Sequence, residues 1–264
     1  MKKKMIKAVF FDVDGTLISF ETHKIPQSTL DAIKTLKEKG IKIIVATGRS
    51  TNQLSHLKEI DFDGYLTFNG NLCVGHNKEI FHKRAIPKEN IEALIKYQKE
   101  VKRFPCIFMS EFDNKINYVD NEVIEVFNLL NLPLTMETET MEEGLKKDII
   151  QMNVFINPDE DEHLIQNALT ECETSRWTHL FADVNLKNSN KGTGLIAFTK
   201  HLDIDISETL AFGDGGNDIE MLKTAGIGIA MGNANREVKA IADYITDAVD
   251  GDGIANALKH FGVI

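Results

Sequence analysis

The chain's first regular feature is a short apolar run, residues 6–11, rich in β-branched and aromatic side chains and closed by Asp12-Val13-Asp14-Gly15-Thr16. A run this short, ended by Asp-Gly punctuation, predicts a strand. Ser28-Thr29-Leu30-Asp31 has the form of a capping box, and Leu30, Ile33 and Leu36 then recur at helical spacing until Gly40 stops the helix. A second nearly continuous apolar run follows from Ile41 to Thr47, "IKIIVAT". Strand, helix and strand in this order form the βαβ pattern of a parallel sheet buried on both faces.

The same rhythm returns at the far end. A helical segment from Gly192 to His201 precedes "TLAFGDGGND", and a helix through Met221-Leu222 precedes "GIGIAMGN". A helix near Asn235–Ala242, a short strand at Tyr244–Thr246 and a final helix from Gly253 complete it. Both ends are therefore expected to form one doubly wound, Rossmann-like α/β core. The middle differs: a hairpin through "NLCVG" and "NKEIFHKRA", an amphipathic helix opened by Pro87-Lys88-Glu89-Asn90, and strands at "PCIFMS", "KINYVD" and "QMNVFIN". This texture predicts an inserted α+β module, with core at 1–80, cap at 81–186 and core again at 187–264. The run Asp159-Glu160-Asp161-Glu162 after Pro158 reads as a solvated helix start.

Composition narrows the function. The 264 residues are 42% hydrophobic, enough for a real core, and the formal net charge of −10 opposes a nucleic-acid partner. Cys73, Cys106 and Cys172 are odd in number and far apart, which fits buried thiols rather than disulfides or zinc sites. The opening has too few apolar residues for a secretory signal, and no charge-free apolar run approaches a membrane span. A cytoplasmic protein with no membrane partner is the expectation.

Four stretches share one property: each lies where an apolar run gives way to small and polar residues. They are "DVDGT" (12–16), "ATGRS" (46–50), "NSNKGTG" (188–194) and "GDGGND" (213–218). In an open parallel sheet, turns at the strands' carboxyl ends converge on one crevice. The known alternatives fail individually. An EF-hand starting at Asp12 would place Leu17 and His23 where Gly and Glu are required; "GDGGND" lacks the dinucleotide spacing; "NKGTG" has its lysine on the wrong side of the glycine for a P-loop.

The ordered set Asp12-Val13-Asp14-Gly15-Thr16, Thr47-Gly48-Arg49, Lys191-Gly192 and Gly213-Asp214-Gly215-Gly216-Asn217-Asp218 resembles the four motifs of haloacid dehalogenase-like phosphatases. "ATGR", "FNG" at 68–70, "NKG" and "GDGGNDIEML" are similar to the Cof-type branch, which carries a large α+β cap after the second motif. The resemblance implies Asp12 as nucleophile and Asp14 as general acid and base. It implies phosphate contacts from Thr47, the Gly48 amide, Lys191 and Asn217. It also implies Mg²⁺ held by the Asp12 carboxylate, the Asp14 carbonyl and Asp214, with Asp218 orienting a metal-bound water or the lysine.

Gly15 allows an unusual turn, and Thr16 is expected to hold that turn by a local hydrogen bond. Arg49 stands open between a structural ion pair and a substrate contact. The implied activity is hydrolysis of a small phosphorylated metabolite, a sugar phosphate first, through an aspartyl-phosphate. A phosphomutase or phosphotransferase using the same chemistry, a receiver-like module and a catalytically silent phosphate binder stand as alternatives. Oligomeric state is open, and a monomer is compatible with everything above.

Overall fold

A computed structural model of the protein describes residues 5–57, 60–111, 113–129, 133–176 and 178–264. The chain forms two units, one of residues 1–49, 53–83 and 190–264, the other of 50–52 and 84–189.

The first unit opens with β1 (Ala8–Phe11), α1 (Gln27–Glu38), β2 (Lys42–Ala46), β3 (Gly64–Thr67), β4 (Leu72–Gly75) and β5 (Ile80–Lys83). The expected capping box does not form: α1 starts behind Pro26, whose fixed φ suits the position, and Ser28 lies inside the helix with its hydroxyl donating to Asp252.

The second unit runs through α2 (Lys88–Glu100), β6 (Cys106–Met109), β7 (Asn114–Ile116), α3 (Asn121–Leu129), α4 (Met141–Gly144), β8 (Gln151–Val154), α5 (Asp161–Asn167), β9 (Cys172–Ser175) and β10 (Ala182–Leu186). Its five strands pair in the order β7-β6-β8-β10-β9. The strand expected at "KINYVD" sits earlier and is shorter, because the Asn117 side chain accepts the Cys106 and Tyr118 amides and ends the ladder. Met152, Val154, Ala182 and Val184 pack into the unit's core. Their neighbours Gln151, Asn153, Asp183 and Asn185 fall opposite one another on the other face. Phe181 is a buried ring against Phe155, as expected of a core residue, while Trp177 lies outside the described residues.

The chain returns with α6 (Lys191–His201), β11 (Thr209–Gly213), α7 (Ile219–Thr224), β12 (Ile227–Ala230), α8 (Arg236–Ile241), β13 (Tyr244–Ile245) and α9 (Gly253–His260). The first unit's sheet has the order β13-β12-β11-β1-β2-β3-β4-β5, parallel from β13 to β3 and antiparallel beyond. β1 is central, and its side chains alternate between two cores. Val9 and Phe11 join the α1 and α9 side, where Phe11 stacks on Phe212 at 5.4 Å; Ala8 and Phe10 join the side covered by α6, α7 and α8. This two-sided burial explains why the strands read as continuous apolar runs.

The three cysteines are free and buried, and burial pushes the Cys106 and Cys172 thiols up to about 12. Among the described residues no helix is long and apolar enough to cross a membrane.

Candidate active site

The turns after β1, β2, β3, β11 and β12 all leave the carboxyl edge of the first unit's sheet. After β1 the chain turns sharply: the Gly15 amide donates to Ile18 O at 2.9 Å and the Ile18 amide to Val13 O at 2.8 Å. Gly15 has φ +84°, and a Cβ there would lie 2.8 Å from Cγ of Asp214, so both conformation and space require glycine. Thr16, fully buried, does not bond locally as expected. Its Oγ1 donates to Oδ1 of Asp214 at 2.9 Å, across the sheet, because the turn aims the side chain at the end of β11.

Lys191 is the first residue of α6, with Asn190 capping the helix by accepting the Thr193 amide at 2.9 Å. The lysine is 0% exposed, and its Nζ donates to Oδ1 of Asp12 at 2.5 Å and Oδ1 of Asp218 at 2.6 Å. The second Asp218 oxygen accepts the Asp214 and Gly215 amides, each at 2.9 Å. Asp218 therefore ties the lysine to the turn after β11.

Asp12, Asp214 and Asp218 each offer an oxygen within 4.8 Å of the others. Burial, then repulsion from Asp218, raises the Asp12 carboxyl well above the usual range despite Lys191. Burial foremost carries Asp214 up to about 6, against the pull of Thr16. Burial alone would lower Lys191, but Asp12 and Asp218 together hold its ammonium above the ordinary value. Three oxygen donors with one internal cation between them form a set suited to a hard divalent ion such as Mg²⁺, whose charge would relieve the strain on Asp12 and Asp214.

Asp14 is not one of this cluster. Arg49 grips it with both prongs, and the arginine, left open on sequence grounds, is an ion-pair partner of the second acid. Thr47 sits at the end of β2 with its hydroxyl accepting the Arg49 amide at 3.1 Å, which leaves the O–H to donate outward. Asn217 does not cap α7. Its Nδ2 donates to Oδ1 of Asn69 at 3.1 Å, while Asp218 satisfies the amides at that turn.

One further residue escaped the motif pattern. Asn233, after β12, donates from Nδ2 to Gly15 O at 2.8 Å, lies 3.4 Å from Oδ2 of Asp214, and accepts the Val249 amide at 3.0 Å. The signal was present in "GIAMGN", where an apolar run again gives way to small and polar residues.

A doubly wound sheet whose carboxyl edge gathers three acids beside a buried lysine is the architecture of an α/β enzyme with a charge-loaded centre. The profile of the haloacid dehalogenase-like hydrolases matches residues 9–258, and the chain belongs to that family. It is 34% identical to "Putative phosphatase YkrA" of Bacillus subtilis (strain 168) over 260 residues, covering 98% of both chains. Among solved structures, it is similar to the HAD subclass IIB sugar phosphatase BT4131, with 43% identity, a TM-score of 0.82 and coverage of 98% of this chain and 100% of that one. It is also similar to the HAD-superfamily phosphatase BT1666 from Bacteroides thetaiotaomicron, with 38% identity, a TM-score of 0.88 and coverage of 98% and 96%.

Proposed function

We propose that the protein is a Mg²⁺-dependent phosphatase of a small phosphorylated metabolite, a sugar phosphate first, acting through an aspartyl-phosphate. The observation that carries the reading is the buried Asp12–Lys191–Asp218 chain with Asp214 beside it. Lys191 there pulls Asp12 toward the carboxylate that attacks, against the burial and repulsion that raise it, in a dry, preorganised setting. The sugar-phosphate choice is supported by the similarity to a solved sugar phosphatase.

In this reading Lys191 holds Oδ1 of Asp12 and leaves Oδ2 to attack phosphorus in line. The new Asp12 O–P bond forms as the bond to the leaving oxygen breaks, and Asp14 gives that oxygen a proton. Asp14 then takes a proton from water, whose oxygen attacks phosphorus and frees Asp12. Thr47, the Gly48 amide and Asn217 bind the phosphoryl oxygens, and Lys191 keeps the acid cluster from repelling them. Asp12 and Asp214, with the Asp14 carbonyl, would hold Mg²⁺, while Asp218, its oxygens already engaged by the protein, orients Lys191. Bound there, Mg²⁺ neutralises phosphoryl charge.

The test is release of inorganic phosphate from a panel of sugar phosphates, pyridoxal phosphate, flavin mononucleotide and nucleotides, with and without Mg²⁺. Asp12→Asn, which keeps shape and removes the nucleophile, is run alongside. Turnover by wild type only, and only with Mg²⁺, is expected. Substantial turnover by Asp12→Asn would sink the nucleophile assignment, and a folded wild type silent across the panel would sink the phosphatase reading.

A further inference from the structure

The turn after β3 contains the most unusual backbone in the first unit. Phe68 and Asn69 both have φ of 51°, and Gly70 follows at 96°. Three successive residues of positive φ, two of them with side chains and one a fully buried phenylalanine, are costly in the absence of compensation. Asparagine tolerates this conformation better than most residues, and Gly70 is needed because a Cβ there would lie 3.1 Å from the carbonyl carbon of Asn190.

The strained turn touches three of the motif loops. The Phe68 amide donates to Arg49 O at 3.1 Å and the Asn69 amide to Thr47 O at 3.0 Å, which fastens it to the turn after β2. Gly70 packs on Asn190, the residue before Lys191. The Asn69 side chain reaches the remaining two points: Oδ1 accepts Nδ2 of Asn217, and its amide lies against Gly48, 3.1 to 3.2 Å from where a Cβ on that glycine would stand. With one N–H of Asn217 donated to Asn69, its Nδ2 keeps a second N–H to donate.

We propose that Asn69 is a positioning residue of the phosphate site, acting through Asn217 and Gly48. This rests on the phosphatase reading above. Asn69 makes Asn217 a donor toward the phosphoryl group rather than an acceptor that would repel it, and it backs the Gly48 peptide so that its N–H keeps its aim. The left-handed backbone of residues 68–70 is the means by which a side chain from the turn after β3 reaches two other loops.

The test is competitive inhibition by inorganic phosphate, read with KM and kcat, in Asn69→Gly, Asn217→Ala and the double variant. Glycine adopts the same backbone without strain, so Asn69→Gly should melt near wild type while phosphate inhibition and KM each weaken about tenfold and kcat changes much less. Because Asn69 acts through Asn217, the double variant should lose little more than either single one, about tenfold instead of about a hundredfold. Asn69→Asp keeps the acceptor and the backbone but sets a negative charge beside Gly48, so phosphate inhibition should weaken and recover partly in salt.

Wild-type inhibition and KM in both Asn69→Gly and Asn69→Asp would overturn the proposal while leaving the phosphatase reading intact, as would fully multiplicative losses in the double variant. A wild type that neither releases phosphate nor is inhibited by it would overturn both.

Discussion

Arg49 and Asp14 meet in a two-pronged ion pair, with Nε donating to Oδ2 at 2.8 Å and Nη2 to Oδ1 at 2.5 Å. The side chains are each 38% exposed, so water screens the pair and its share of stability is small. Its consequence is geometric, because a planar fork fixes the rotation of the carboxyl group two residues beyond Asp12.

If Asp14 shuttles the proton, Arg49 sets which carboxyl oxygen carries it to the leaving oxygen. Arg49→Lys, which keeps charge but loses the fork, should therefore slow turnover of poor leaving groups such as sugar phosphates about tenfold or more, and aryl phosphates much less. Melting temperature should hardly move. Equal losses on both substrate types, or none, would remove Arg49 from proton transfer.

Lys191 is the sole cation bonded to the Asp12–Asp218 pair among the described residues, and it is wholly buried. Lys191→Met leaves two buried carboxylates uncompensated, a loss of about 3 to 5 kcal/mol by comparison with other broken buried pairs. The Asp12 carboxyl is already raised, and without the lysine it rises further, so the variant gains most by binding a proton. Denaturant unfolding should show a wider gap to wild type at pH 8 than at pH 5. A variant as stable as wild type at both pH values would show that the buried pairing does not stabilise the fold.

What the sequence disclosed follows from how local each signal is. β1, β2 and β11 are central strands buried on both sides, so their apolar runs are unbroken, and the turns that follow carry the acids in plain view. β9 did not register as a strand because three of the four residues of "CETS" are polar, and β10 because Asp183 and Asn185, on the face opposite the second unit's core, break up the short run "ADVNL". The role of Asn233 depends on contacts 218 and 16 residues away along the chain, which no local pattern encodes. For Arg49 the sequence leaves an ion pair and a substrate contact equally open, and only the fold shows its pairing with Asp14.

Asn233 joins the turn holding Asp14 to Asp214 and to the segment before α9. Removing its side chain frees the Gly15 carbonyl and takes away one of the contacts that orient Asp214. Asn233→Ala should weaken Mg²⁺ binding about tenfold, as loss of a ligand-orienting contact commonly does. The measurement is the rise in melting temperature as Mg²⁺ is titrated, which needs no turnover. An unchanged Mg²⁺ dependence would confine Asn233 to loop packing.

Asp183 offers a pH effect separate from the active site. It lies on β10 opposite Asn153 of β8 and Ser175 of β9, and Asn153 donates to it. Burial lifts its carboxyl to about 6, against the opposing pull of that hydrogen bond. Because the folded protein holds this proton more tightly than the unfolded chain, the stabilisation is complete below about pH 4 and disappears as pH rises through about 6. At pH 8 the ionised side chain then costs at most about 3 kcal/mol relative to pH 4, at about 1.4 kcal/mol per tenfold change in proton affinity. Asp183→Asn, neutral at every pH and similar in shape, should unfold at higher denaturant than wild type at pH 8, with the advantage shrinking toward pH 4. A constant difference across that range, or a loss of stability at pH 8, would mean that Asp183 is held as a carboxylate and that its bond to Asn153 outweighs burial.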